Sequence, residues 1–194
     1  YSLLYQEPVI LENTTTLKAV AYKDGNYGAV YEKTYIINDT SIPATTGTDI
    51  SGSISQNTIW KRSNSPYKIN KNTLITSGAS LYVEPGVEIV FAKDTAMQVQ
   101  GSIYCLGLPD NKINITGQTT EKWAYLQLNN QTADDKTYID NTTISNANKG
   151  IYAIRGGNII IKNSNLKNCS TGIESSISNL LLENSKLENN VTGY

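Results

Sequence analysis

Histidine is absent from this chain of 194 residues, and there are only two cysteines, one methionine and one phenylalanine. Without histidine the usual proton shuttle at neutral pH and the commonest metal ligand are missing, and the two cysteines form no metal-ligand spacing. Charge is scarce as well. Sixteen Lys and Arg balance seventeen Asp and Glu for a net charge of −1, which offers no electrostatic reason to expect nucleic acid or an anionic membrane as partner. No apolar run approaches the ~20 residues that a membrane-spanning helix needs. There is no Gly-rich phosphate loop and no Gly-Gly-x-Gly-x-Asp calcium repeat. The sequence opens at Tyr1 without a Met or a signal-like segment, so any targeting segment is expected to have been removed.

What is present is polar, β-prone and repetitive. Asn, Thr and Ser abound beside 13 tyrosines, a composition that suits an extracellular β protein better than a cytosolic enzyme. Ile139-Asp-Asn141-Thr142-Thr-Ile144-Ser-Asn146 recurs as Ile161-Lys-Asn163-Ser164-Asn-Leu166-Lys-Asn168 and again as Leu182-Glu-Asn184-Ser185-Lys-Leu187-Glu-Asn189. A period of this size, about 22 residues, marks a solenoid, in which each unit buries its apolar face only against its neighbours. The apolar residues are aliphatic, arranged in short runs between Asn, Gly and Ser, which is strand and turn chemistry rather than helix. The expectation is an all-β chain with a three-sided parallel β-helix.

Coils stacked about 4.8 Å apart place equivalent residues directly above one another. Ile139/Ile161/Leu182, Ile144/Leu166/Leu187 and Ile151/Ile173/Tyr194 then form inward columns. Asn141/Asn163/Asn184 and Asn146/Asn168/Asn189 form structural ladders at corners, with Asn158/Asn179 as a shorter third, because Asn tolerates left-handed backbone and its amide can bond to the next coil. The outward positions Asp140/Lys162/Glu183 and Lys167/Glu188 alternate in sign, so adjacent rungs attract. Trp60, Tyr82, Tyr104 and Tyr125 follow one another at the same period and read as a further column. Its three tyrosines are flanked by apolar residues and so point outward. Tyr82, Tyr104 and Tyr125 are candidates for stacking on sugar rings; a purely stabilising aromatic ladder is the competing explanation. Cys105 and Cys169 are separated by about three periods. If they share a column through Leu126 and Ala147, three rungs hold them ~14 Å apart, too far for a disulfide. They are read as buried thiols.

Residues 1–38 differ. Pro8–Leu11, Thr16–Tyr22 and Ala29–Ile37 read as strands, with Lys23-Asp24-Gly25-Asn26 as hairpin-turn chemistry. Tyr5-x-x-Pro8-Val9-x-Leu11 and Thr16-Leu-Lys-Ala-Val-Ala-Tyr-Lys-Asp-Gly25 together resemble the second half of the fibronectin-III-like module at the C-terminus of chitobiases and β-hexosaminidases. The resemblance implies a partial β-sandwich module over 1–38 whose first strands lie elsewhere. Residues 39–56 read as a linker of small residues. From 57 to 194, Trp60, Ser65-Pro66-Tyr67, Leu81-Tyr-Val-Glu-Pro85-Gly86-Val87 and Ile113-x-Ile115-x-Gly117 resemble right-handed parallel β-helix proteins of the pectin-lyase-like superfamily. That resemblance implies a fold, not an activity.

Members of that superfamily that cleave pectin use several Asp and a His, or carboxylates holding calcium with a basic proton abstractor. The carboxylates to be weighed here are Asp134, Asp135, Asp140 and Glu174, and the bases Arg155 and Lys162. Asp134-Asp135 sits in a polar stretch that reads as solvated loop, and the frame of Asp140 holds Lys162 and Glu183 in later coils, poor conduct for a ligand position. No catalytic residue, metal ligand or cofactor is assigned. Seven Asn-x-Ser/Thr sequons occur, at Asn13, Asn38, Asn114, Asn130, Asn141, Asn168 and Asn190. A chain this rich in Asn and Thr produces them by chance, and they alone do not imply glycosylation. The resulting expectation is a non-catalytic, structural or adhesive segment of a modular secreted or cell-surface protein, contacting extracellular polysaccharide or neighbouring copies packed on an open β-helix end. The alternative is a polysaccharide lyase or hydrolase with its catalytic coils outside this segment. No nucleic acid and no membrane span are expected. Because the template runs past Tyr194 with no cap in sight, the terminal coil is expected to be completed by further chain or a neighbouring molecule.

Overall fold

The computed structural model describes Val9, Leu11 and residues 15–35, 46–132, 134–176 and 178–194. The chain divides into a unit over Tyr1–Ile42 and a unit over Pro43–Tyr194. In the first, β1 (Thr15–Lys23) pairs antiparallel with β2 (Asn26–Tyr35). The turn between them is Asp24-Gly25, both left-handed at φ 52° and 83°, the geometry that matches the twist of a two-residue hairpin. The strand expected at Pro8–Leu11 falls outside the described residues except for Val9 and Leu11.

The second unit is a parallel β-solenoid of about six turns. Each turn lays down three strands, on faces designated I, II and III in chain order. Face I stacks Thr58–Trp60, Ser80–Val83, Ser102–Leu106, Thr137–Asp140, the end of Ala147–Lys162, and Ser178–Glu183. Face II stacks Glu88–Phe91, Ile113–Gly117, Thr142–Ser145, Asn165–Lys167 and Lys186–Glu188. Face III stacks Ala96–Val99, Trp123–Asn129, the start of Ala147–Lys162, and Thr171–Ser175. Residues 48–54, expected within the linker, instead form β3 (Thr48–Ile54), which pairs in parallel with Tyr67–Ile75 and lays faces II and III of the first turn. Ile50 and Ile54, on either side of the Gly52 bend, pack against the core, so their burial won over the small-residue composition that suggested a linker.

The core columns agree with the repeat, with two exceptions in the last coil, the first being Leu182, which keeps its register with Ile161 but is 37% exposed. Trp60, Val83, Cys105, Ile139, Ile161 and Leu182 stand in register along face I. Tyr67, Ile89, Ile115, Ile144, Leu166 and Leu187 do the same along face II. Met97, Leu126, Ile151 and Ile173 follow on face III. Tyr194 does not complete that last column: it is 76% exposed, although the Gly193 carbonyl still accepts the Ile173 N–H at 3.0 Å. Cys105 and Cys169 are both free and buried, as expected of structural thiols, but they do not share a column. Cys105 lies between Val83 and Ile139 on face I, whereas Cys169 sits beside the corner after Asn168, where Ser170 donates to the Ala147 carbonyl.

The corners explain the Asn repeat. Asn141, Asn163 and Asn184 have φ of 44°, 49° and 48°, and Asn146, Asn168 and Asn189 have 60°, 58° and 52°. Among side chains only Gly, Asn and Asp visit this region at low cost. Asn158 and Asn179 are in register too, but that bend lies inside Ala147–Lys162 as an irregularity between Gly156 and Asn158. The expected Asn-to-Asn amide ladder is replaced by a carboxylate: Asp140 Oδ1 accepts from Asn141 Nδ2 at 3.0 Å and from Asn163 Nδ2 at 2.9 Å. The residue after each corner supplies a hydroxyl ladder. Thr142, Ser164 and Ser185 hydroxyls each donate to the carbonyl two residues back. Ser164 Oγ accepts the Thr142 N–H and Ser185 Oγ the Ser164 N–H, which satisfies backbone donors that a sharp bend would otherwise orphan.

On the face III strands glycine is required for want of space. A methyl at Gly150 would lie 2.6 Å from the Gly172 carbonyl oxygen, and one at Gly172 would lie 2.7 Å from that of Gly193.

Candidate functional site

A solenoid spends its inward side chains on the core, so any contact chemistry must come from outward positions, loops or ends. Along face I, strand alternation turns Ile59, Tyr82, Tyr104, Tyr138, Ile160 and Leu181 outward in one unbroken row. Two members expected in the tyrosine column are not there. Trp60 points inward, 3% exposed, and stacks on Tyr67 at 4.5 Å. Tyr125 lies on face III, in register with Ala96 and Lys149. Tyr138, which spacing does not suggest, takes its place beside Tyr104. The cause for Tyr125 is a long fourth turn. Cys105 and Ile139 are successive on face I, yet far more than one period separates them, because loops intervene before and after face II and again before Thr137. The step from Tyr104 to Tyr125 is therefore not a coil.

The face I tyrosines are stacked on each other. Tyr82 and Tyr104 have ring centroids 4.8 Å apart and planes 6° from parallel. Their facing surfaces are thereby occupied, and the rings run along the stack rather than lying flat to solvent. Tyr138 beside them is only 8% exposed. This row is built as a ladder, and rings arranged this way contribute packing between coils.

Face III carries a different arrangement. Gln98, Gln127, Tyr152 and Glu174 stand in one outward row. Tyr125 reaches Tyr152 edge-on, with centroids 5.8 Å apart and planes at 69°. Lys149 Nζ lies 4.0 Å from the Tyr152 ring centroid and 2.9 Å from Glu174 Oε1. Strand alternation puts Tyr125 on the same outward side as Gln127, and an irregularity at Gly150, opposite the step from Tyr125 to Leu126, brings Lys149 beside it. The patch thus combines two non-parallel aromatic rings, two side-chain amides and a neutralised ion pair on a rigid sheet. Of the three tyrosines singled out by spacing, only Tyr125 is part of it. Tyr152 and Glu174 are not singled out by the sequence reading as a pair, although one period of the repeat separates them and places them in register.

The carboxylates weighed for catalysis do not converge. Asp135, expected in a solvated loop, is 5% exposed and accepts the N–H groups of Thr132 at 2.9 Å and Gln131 at 3.2 Å through Oδ2. It folds its own loop, while Asp134 is exposed. Asp140 is held by the Asn amides of the corner, Glu174 by Lys149, and Lys162 pairs with Glu183 at 3.4 Å. Arg155 is exposed at the end of face III, opposite Asn129. Among the described residues there is no group of three His, Cys, Asp or Glu side chains placed to hold a metal ion, and no helix is long and apolar enough to cross a membrane. Burial pushes the Cys105 thiol up to about 12 and, outweighing backbone N–H groups and the Lys122 charge that act the other way, moves that of Cys169 upward too, the opposite of what a nucleophilic thiolate requires.

Comparison with known proteins adds one partial similarity. A stretch of 77 residues, 40% of this chain, is 32% identical to Protein bark beetle of Drosophila melanogaster. The chain spans 2% of the length of that curated relative. No family model and no solved structure matches the chain.

Proposed function

We propose that this chain is a non-catalytic segment of a modular secreted or cell-surface protein, a rigid solenoid that displays a carbohydrate-contact surface on face III. In this reading the solenoid is a right-handed β-helix of the pectin-lyase-like kind, and the β1–β2 hairpin belongs to a fibronectin-III-like module. The patch of Tyr125, Tyr152, Gln98, Gln127 and Glu174 carries the reading. Aromatic rings pack on the apolar faces of sugars, while amides and a carboxylate bond to hydroxyls, and a sheet holds all of them without an ordering cost on binding. The Lys149–Glu174 pair leaves the patch close to neutral, which favours a neutral polysaccharide over a uronic-acid polymer. The similarity to a very long animal protein is in keeping with a modular context. The face I row, whose outer members Ile59 and Leu181 are 57% and 49% exposed, suits packing against neighbouring modules or copies in an outer layer.

The test is binding of the whole chain to a panel of neutral and acidic polysaccharides, followed by isothermal titration with the best ligand. Tyr125→Ala combined with Tyr152→Ala should weaken binding at least about tenfold, or ~1.4 kcal/mol, whereas Tyr104→Ala should leave affinity unchanged. Loss of binding in Tyr104→Ala alone, or no binder in the panel, overturns the surface assignment. Release of unsaturated sugar products absorbing in the near ultraviolet, with or without calcium, overturns the non-catalytic reading.

A further inference from the structure

We propose that Asn114 and Asn168 are the N-glycan attachment sites of the solenoid, and that the sequons at Asn130, Asn141 and Asn190 are not used in the folded protein. The proposal rests on the extracellular reading above. In the transfer, the side-chain amide nitrogen of Asn forms a bond to the anomeric carbon of a lipid-pyrophosphate-linked oligosaccharide. The bond from that carbon to the pyrophosphate oxygen breaks, the lipid pyrophosphate leaves with the electron pair, and the amide releases one proton to a base. The product has a bulky group on Nδ2, so the fold accepts it only where that nitrogen faces solvent and holds nothing together.

The fold separates the five sequons on this criterion. Asn130 is buried, its Nδ2 donates to the Gly101 carbonyl, and its Oδ1 accepts the Thr137 hydroxyl at 3.5 Å. Asn141 is buried and its Nδ2 donates to Gly107 O at 3.4 Å and to Asp140 Oδ1 at 3.0 Å. Asn190 Nδ2 donates to Leu166 O at 3.0 Å while its Oδ1 accepts the Cys169 N–H at 2.9 Å. A glycan on any of these would displace hydrogen bonds that close a turn, and a buried polar group left unpaired is costly. Asn114 differs. It is exposed between the buried Ile113 and Ile115 and projects outward from face II, in a row with Glu88 and Thr143. Asn168 is exposed at a left-handed corner. Its backbone N–H and carbonyl are bonded, to Glu188 O and from Lys122 Nζ. Among the described residues the side-chain amides of Asn114 and Asn168 make no hydrogen bond.

Position gives the modification a consequence. A glycan at Asn114 stands over the middle of face II and shields that face from protein or polysaccharide, leaving faces I and III for contact. Of the remaining sequons, Asn13 and Asn38 lie outside the described residues.

The chain is expressed behind an added secretory leader in a glycosylating eukaryotic cell, and the folded, monodisperse fraction is collected. Peptide N-glycosidase treatment in heavy-oxygen water converts each occupied Asn to a labelled Asp, which peptide mass spectrometry locates. Label at Asn114 and Asn168, with none at Asn130, Asn141 and Asn190, is the expected result. Label at any of those three, or an unlabelled Asn114 or Asn168, overturns the proposal. Asn114→Gln and Asn168→Gln should each remove the mass of one glycan and leave the circular dichroism spectrum unchanged; an unchanged mass counts against that site. The added leader decides the compartment, so the result tests the choice of sites. Whether the native protein is extracellular is read separately, by surface labelling of cells that make it.

Discussion

Three asparagines allow backbone conformation to be separated from side-chain bonding at the corners. Asn168 is left-handed, φ 58°, and its amide makes no bond among the described residues; Asn163 is left-handed, φ 49°, and donates to Asp140 Oδ1 at 2.9 Å; Asn190 is not left-handed, and both amide atoms are bonded. An ordinary L-residue in the left-handed region costs about 1–2 kcal/mol, a cost glycine avoids. Asn168→Ala should therefore destabilise by about 1 kcal/mol and Asn168→Gly by less than about 0.5 kcal/mol. At Asn163 a bond to a carboxylate is lost in addition, although Asp140 keeps its bond from Asn141. The expectation there is about 2–3 kcal/mol for Ala and about 1–2 kcal/mol for Gly. At Asn190 two bonds of about 1 kcal/mol each are lost, and Gly adds about 0.5–1 kcal/mol of backbone entropy, so Gly becomes the worse substitution. The order of Ala and Gly must invert between Asn168 and Asn190. Urea unfolding of the unglycosylated bacterial protein measures the six differences. Hydrogen exchange read by mass spectrometry assigns them to coils, because a solenoid melts locally. Equal costs for Ala and Gly at Asn168, or Gly worse than Ala at Asn163, would refute the reasoning.

Two further predictions rest on the core. Gly172→Ala places a methyl against the Gly193 carbonyl and should cost about 1–3 kcal/mol, with faster exchange confined to the coils after Ala147; unaltered exchange there counts against the close-approach argument. The Cys105 thiol ionises near 9.0 when the chain is unfolded and at about 12 when folded. Stability is thus undiminished below pH 9 and falls above it by about 1.4 kcal/mol per pH unit until about 12, since only the unfolded chain sheds the proton. Cys105→Ala should lack this component, so the wild-type minus variant difference, measured by urea midpoints between pH 8 and 10.5, must slope downward. A flat difference contradicts it.

The three-fold Asn repeat between Ile139 and Asn189 was enough, by itself, to establish the parallel solenoid, its core columns and its left-handed corners. The reason is physical: in a stack whose rungs repeat at a fixed period, sequence separation is spatial adjacency, and a residue that must adopt positive φ leaves Asn in place each time. That legibility ended where the period ended. The fourth turn carries loops of its own, so Tyr104 is followed by Tyr138 rather than Tyr125, and Cys105 and Cys169 occupy separate columns; Trp60 is in register with Val83 rather than Tyr82 and so turns inward onto Tyr67. Loop length is not written in apolar periodicity. Nor could spacing reveal that Asp140 bonds the corner amides or that Asp135 folds back on its own loop, since both depend on which donors the bends leave unpaired. The outward patch of Tyr125, Tyr152, Lys149 and Glu174 was also settled only in three dimensions. A β-bulge, invisible in the sequence pattern, sets which side chains meet across the rungs of face III.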